Sequence, residues 1–142
     1  SGKTDNWHIK FHEIYNSTIS VNYDNSALER GLIRTLPTPF NELDAIPAIP
    51  GGLQKRPDLP VSMDPNISTW GYYDMATHIL VPDKKKTNVI YLKDGRRIKF
   101  QLENLYLGNP EKVKDKYEYP SPFFNFKYYI TASSGSDNIK TR

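Results

Sequence analysis

Residues 87–106 read TNVIYLKDGRRIKFQLENLY, an order that leaves the chain few choices of local structure. A run of β-branched and aromatic residues over 87–92 meets Asp94-Gly95, and a second such run follows over 97–106. Asp-Gly is a favoured pair for a two-residue type I′ turn, whose central positions both need positive φ. The spacing therefore predicts an antiparallel hairpin, closed off beyond Tyr106 by Gly108-Asn109-Pro110.

The same period-two signal recurs along the chain. Over residues 7–15, Trp7, Ile9, Phe11 and Tyr15 fall on one face and His8, Lys10 and His12 on the other, as in a half-buried strand. Residues 17–23 continue it with Ile19, Val21 and Tyr23 in phase, after a bend or bulge at Asn16-Ser17. Strands are expected over 69–75, over 78–81 up to Pro82, and over 123–131, while 112–119 is charged and reads as loop. Ten Tyr, six Phe and two Trp supply the large side chains that suit a pleated surface. At 142 residues there is length for one domain. The expectation is an all-β, antiparallel, sandwich-like domain over 1–132, without internal repeats.

Two segments break the pattern. Seven of the 11 prolines (37, 39, 47, 50, 57, 60 and 65) fall within 24–66, with Gly51-Gly52 among them. Proline fixes φ and removes a ladder donor, so a central strand is not expected there, and the segment reads as a long proline-rich loop excursion packed on the core through Ile46, Ile49 and Leu59. A short helix is expected after Thr38, with Thr38 as N-cap, Pro39 at the first position, and Phe40 and Leu43 turned inward. Residues 133–142 are polar and read as a disordered tail.

Composition narrows the function classes. Nineteen basic against 16 acidic residues give a net charge of +3, but the excess sits in short runs such as Lys84-Lys85-Lys86, which read as solvated loops; nucleic-acid binding would need a larger contiguous basic face. The absence of cysteine removes disulfides, thiolate catalysis and thiolate metal sites. No apolar run approaches the roughly 20 residues of a membrane span. No leader is visible, though a chain beginning Ser1-Gly2 gives that no weight. His8 and His12 on one strand would lie about 13 Å apart, too far for one metal. Both read as surface or core-edge histidines. The carboxylates are scattered, and nucleophile elbows and phosphate-binding glycine loops are absent, so the chain is not expected to be an enzyme.

The two methionines, Met63 and Met75, stand in an aromatic neighbourhood with Trp70, Tyr72 and Tyr73. A methionine usually fills a core gap. Its thioether is also a soft ligand for haem iron. Both readings stay open on these residues alone.

One resemblance bears on the choice. Trp70-Gly-Tyr-Tyr-Asp-Met75-Ala-Thr-His78, then Pro82, Val89-Ile90, Asp94-Gly95, Lys99 and Tyr106 resemble the C-terminal half of the HmuY family, the haem-capturing lipoproteins of Bacteroidetes. Asn6-Trp7 followed by His12, and Phe124-Asn-Phe-Lys-Tyr128-Tyr129, are similar to that family's Asn-Trp strand and closing aromatic strand. The resemblance implies an all-β HmuY fold, a lipid-anchored or released protein at the outer-membrane surface or outside the cell, and iron acquisition through haem. As partners it implies a TonB-dependent outer-membrane receptor or host haemoproteins. It further implies an axial haem ligand at Met75, five residues after Trp70, and a second from the preceding excursion, where Met63 is the methionine available. Trp70, Tyr72 and Tyr73 would then lie near the ring, with propionates meeting Lys55, Arg56 or the lysines at 84, 85 and 86. Family members usually begin with further strands before the Asn-Trp strand, so this chain is expected to be a fragment or a shorter branch, with an exposed edge strand near Trp7. The competing reading is a surface interaction module on the same scaffold, contacting protein or glycan without haem.

Overall fold

The computed structural model describes residues 7–13, 17–22, 32–46, 58–67, 69–92, 94–132 and 136–141. Their strands are β1 (Ile9–His12), β2 (Thr18–Val21), β3 (Leu32–Leu36), β4 (Asp58–Pro60), β5 (Gly71–Asp74), β6 (Ile79–Pro82), β7 (Thr87–Tyr91), β8 (Arg97–Asn104) and β9 (Asn125–Ile130). Helix is absent from the described residues. The expected bend at Asn16 lies outside them.

β7 and β8 pair antiparallel, Ile90 opposite Ile98 and Val89 opposite Lys99. The turn differs from the type I′ expectation. Of the Asp94-Gly95 pair only Gly95 has a positive φ, 87°. Its N–H donates to the Leu92 carbonyl at 3.0 Å while Leu92 N–H donates to Arg96 C=O at 2.9 Å. These bonds close the hairpin between Leu92 and Arg96, a wider connection than a two-residue turn, with Gly95 in the left-handed region. Asp94 explains the choice, because its carboxylate accepts from the Arg96 backbone N–H at 3.0 Å and from Arg96 Nε at 2.8 Å. The hydrogen bond from the Arg96 side chain holds the Asp94 carboxyl below its ordinary value. A depressed carboxyl contributes stability above the unfolded-chain value and loses it as pH falls through the folded value. The gap in urea midpoint between wild type and Asp94→Asn is therefore expected to shrink as pH is lowered from about 6 to about 3.

Two antiparallel sheets, β1-β2-β4 and β3-β7-β8-β9, face each other, with β5-β6 as a separate two-stranded ribbon. Alternation decides what each face buries. Ile19, Val21 and Leu59 from the first sheet meet Ile33, Ile90, Ile98, Phe100 and Leu102 from the second, with Trp70 and Leu80 joining from the ribbon side. The opposite face of the larger sheet is also covered: Val89, Tyr91 and Leu36 pack with Leu43, Ile46 and Ile139. A sheet covered on both faces accounts for β7 being buried at every position.

Three expectations are corrected here. The proline-rich excursion contains two strands: β3 pairs with β7 in full register, and β4 pairs with β2. The prolines flank LIRTL without entering it, and Pro60 ends a strand at the edge of its sheet, where a missing donor costs no ladder bond. The helix after Thr38 is a single turn in which Pro39 C=O accepts from Glu42 and Leu43 N–H, although Phe40 and Leu43 are buried. The chain leaves that turn to bridge Ala45 with Asn138. The described part of the tail, 136–141, is therefore docked, with Ile139 fully buried and Ile139 N–H donating to Asp44 C=O at 2.9 Å.

That docking is organised around Lys99, which has no exposed surface and lies on the face of β8 away from the main core. Its ammonium donates to Leu43 C=O at 2.7 Å, Ile139 C=O at 3.1 Å and Thr141 Oγ1 at 3.1 Å, and stands 4.4 Å from the Phe40 ring centre. A buried cation is tolerated when its donors are satisfied.

Candidate functional site

The β5-β6 ribbon carries the candidate residues. Its register sets Gly71 opposite Pro82, Tyr73 opposite Leu80 and Asp74 opposite Ile79. Gly71 allows the strands this approach, since a β-carbon there would lie 3.0 Å from Val81 O. Tyr73 packs against the main core, and alternation sends Tyr72 to the other face.

Asp74 builds the turn over 75–78. Its carboxylate accepts from the N–H of Ala76 at 2.8 Å and of Thr77 at 3.4 Å, and its carbonyl accepts from His78 N–H at 2.8 Å. The Ala76 bond leads in holding the Asp74 carboxyl below its usual value. The turn closes through His78 at φ 57°, a left-handed conformation that a non-glycine residue adopts only when its surroundings hold it there. What holds the ring is Tyr73, whose Oη lies 2.8 Å from His78 Nδ1.

The chain before β5 joins the same ribbon. Ser62 bridges Tyr72 in parallel: Ser62 N–H donates to Gly71 C=O at 3.1 Å, and Tyr73 N–H to Ser62 C=O at 2.8 Å. Met63 follows directly on this bridge, and Met75 follows directly on the end of β5, at the start of the turn. Neither methionine fills the core; they are 66% and 58% exposed.

Beside this end opens a cleft of about 380 Å³ with Leu80 and Leu105 in its floor and Tyr73, His78, Tyr106 and Lys116 around it. Tyr106 Oη accepts from Leu80 N–H at 3.3 Å, and burial pushes its phenol above the ordinary value. Lys116 Nζ lies 4.8 Å from the ring centre of Tyr117, which is exposed at the rim. Neither methionine forms part of the wall.

The structure thus sets Tyr72 and Tyr73 on opposite faces of β5, Met75 in the turn that follows it and Met63 next to the bridging Ser62. Trp70 is 2% exposed inside the main core and offers no surface to a ring. The lysines at 84, 85 and 86 also fall elsewhere: they follow Pro82, which is opposite Gly71 at the far end of the ribbon from Met75, and Lys86 pairs with Asp83 at 2.9 Å. Lys55 and Arg56 lie outside the described residues. His12 joins a polar network on the outer side of the smaller sheet, with Nδ1 2.9 Å from Glu13 Oε1 and Nε2 2.5 Å from Ser20 Oγ, which donates on to Asp58. Among the described residues there is no group of three or more His, Asp or Glu placed to hold a metal ion, and no helix long and apolar enough to cross a membrane.

Sequence reasoning did not find the pairing of Tyr73 with His78, nor Tyr106, Lys116 and Tyr117 as a group. Tyr117 inside a charged run was the available signal, a large aromatic where a solvated loop has no use for one. Compared with family models, with curated proteins and with solved structures, the chain matches none.

Proposed function

We propose that this chain is a non-enzymatic binder of haem or a related porphyrin, with Met75 as an axial thioether ligand and Met63 as the second candidate. The reading includes a place outside the cell and transfer of haem between host haemoproteins and an outer-membrane receptor, which rest on the HmuY resemblance. The observation that supports the reading is the parallel bridge from Ser62 to Tyr72, which joins the segment carrying Met63 to the ribbon whose turn carries Met75, with both side chains exposed. Exposed thioethers are adaptable, polarizable contacts that recur on ligand-binding surfaces. The donor chemistry fits haem: thioether sulfur and phenol are both known ligands of haem iron. Trp70 has no part in it. Bound haem would supply an iron centre for the sulfurs, while Asp74 fixes the turn that carries Met75.

Titration with haem tests this. A sharp Soret band is expected in wild type, strengthened on reduction because thioethers favour ferrous iron, and weakened at least tenfold in apparent affinity in Met75→Ala. A spectrum that stays that of free haem, or normal binding by Met75→Ala, would sink the assignment.

A second reading, a surface module for glycan or protein, is favoured by the cleft between Tyr73, His78, Tyr106 and Lys116, where an exposed Tyr117 stands ready to stack on a sugar ring. Tyr117→Ala separates the two. It leaves the Soret titration unchanged under the porphyrin reading and abolishes ligand capture under the other.

A further inference from the structure

β9 ends the larger sheet, with β8 on one side and no strand on the other among the described residues. Its hydrogen-bond alternation can be read from one bond. Thr131 N–H donates to Arg97 C=O at 2.9 Å, one step beyond the Ile98–Ile130 pair. In an antiparallel ladder bonded and non-bonded pairs alternate, so Tyr129 and Lys127 bond to β8. The N–H and C=O groups of Phe126, Tyr128 and Ile130 then point away from β8, toward the open edge.

The side chains of these residues lie on the face that carries the main core. Phe124 and Ile130 pack against that core, and the Phe126 ring is 5.2 Å from that of Phe100. β1 covers this face as far as Phe11, which stacks on Phe124 at 4.0 Å. Beyond it Phe126 is 45% and Tyr128 60% exposed. Natural edge strands are usually blunted by proline, by inward charge or by brevity. β9 spans six residues without proline, and its one charge, Lys127, is on the other face, 3.3 Å from Glu103.

We propose that a second copy of this chain adds to β9, edge to edge and antiparallel, about a two-fold axis at Tyr128. Charge and side-chain complementarity argue for the occupant and against the register centred on Lys127. With Tyr128 opposite the partner's Tyr128, Phe126 faces the partner's Ile130 and exchanges backbone bonds with it. Lys127 then meets the partner's Tyr129, an ammonium beside an aromatic ring, which is favourable. The register centred on Lys127 places two ammonium groups directly opposite in a closely spaced non-bonded pair, which is unfavourable. The strand is thus self-complementary when centred on Tyr128, as an isologous interface requires. The exposed aromatics of both copies merge into one apolar strip. This interface does not depend on the porphyrin reading.

The experiment is sedimentation of the full chain over a range of concentrations, paired with amide hydrogen exchange. Wild type is expected to pass from monomer to dimer as concentration rises, with protection of the Phe126, Tyr128 and Ile130 amides rising in step. Tyr128→Lys, at an exposed position, is expected to weaken the dimer at least tenfold with unchanged circular dichroism. Should that variant fail to fold, the wild-type amides decide alone. A monomer at every concentration overturns the proposal. So does a dimer in which these three amides exchange freely, and so does an edge that takes up an unrelated extended peptide while the chain stays monomeric.

Discussion

Trp70→Ala is expected to lower the free energy of unfolding by about 3–5 kcal/mol, the range for deleting a fully buried large aromatic. The indole is 2% exposed and packs among Ile19, Leu59, Leu80 and Phe100, where the two sheets and the ribbon meet. Removing it leaves a cavity walled by three separate elements, none of which can collapse without the others. Trp70→Phe keeps most of the ring volume and is expected to cost under about 1.5 kcal/mol. Urea denaturation of both variants checks the pair. A loss below about 1 kcal/mol in Trp70→Ala would mean that the ring is not in the core, and would return it to the haem site.

Lys99→Met is expected to cost about 3 kcal/mol, and to do so locally. Methionine matches the length of the lysine stem but donates nothing, leaving the carbonyls of Leu43 and Ile139 buried and short of a donor. Bonds to a charged group contribute about 1.5–3 kcal/mol each, and an unsatisfied buried acceptor costs about 1–3 kcal/mol. Relief from burying an ammonium offsets part of this, which is why the sum is not larger. The local signature is sharper than the global one. Ile46 and Ile139, whose N–H groups donate to Asp137 and Asp44 carbonyls, are expected to lose amide protection before the strands do. A variant as stable as wild type would show that burial of the charge outweighs its bonds.

The sequence made strands legible wherever alternation ran for several residues, as in β7, β8 and β9, because the side-chain period follows directly from the pleat. It misread β3, since LIRTL is short and proline density was judged over the whole segment. It missed the docked tail for a different reason. Ile139 is one apolar residue in a polar stretch, and its partner Lys99 reads as a surface charge until the layer over it is known. Turn geometry at Asp94-Gly95 was set by the Arg96 side chain, a contact that dipeptide preferences do not carry. Around the candidate site, Met63, Met75, Tyr72 and Tyr73 were grouped because they lie close in sequence, and alternation along β5 separates the two tyrosines. The Tyr73–His78 pair follows from the left-handed turn at His78, a local backbone choice that alternation does not signal, and the cleft from the return of residues 105–122 beside the ribbon, a long-range consequence of the fold.

The chain contains only two methionines, which makes the porphyrin assignment open to one direct reading. A spectrum of the protein labelled with carbon-13 in the methionine methyl groups has two signals, one for Met63 and one for Met75. Titration with haem under reductant, where thioether-ligated ferrous iron is low-spin and diamagnetic, is expected to move both upfield through the ring current, Met75 the further. If the porphyrin binds and neither methyl signal moves, the end of the β5-β6 ribbon is not the site.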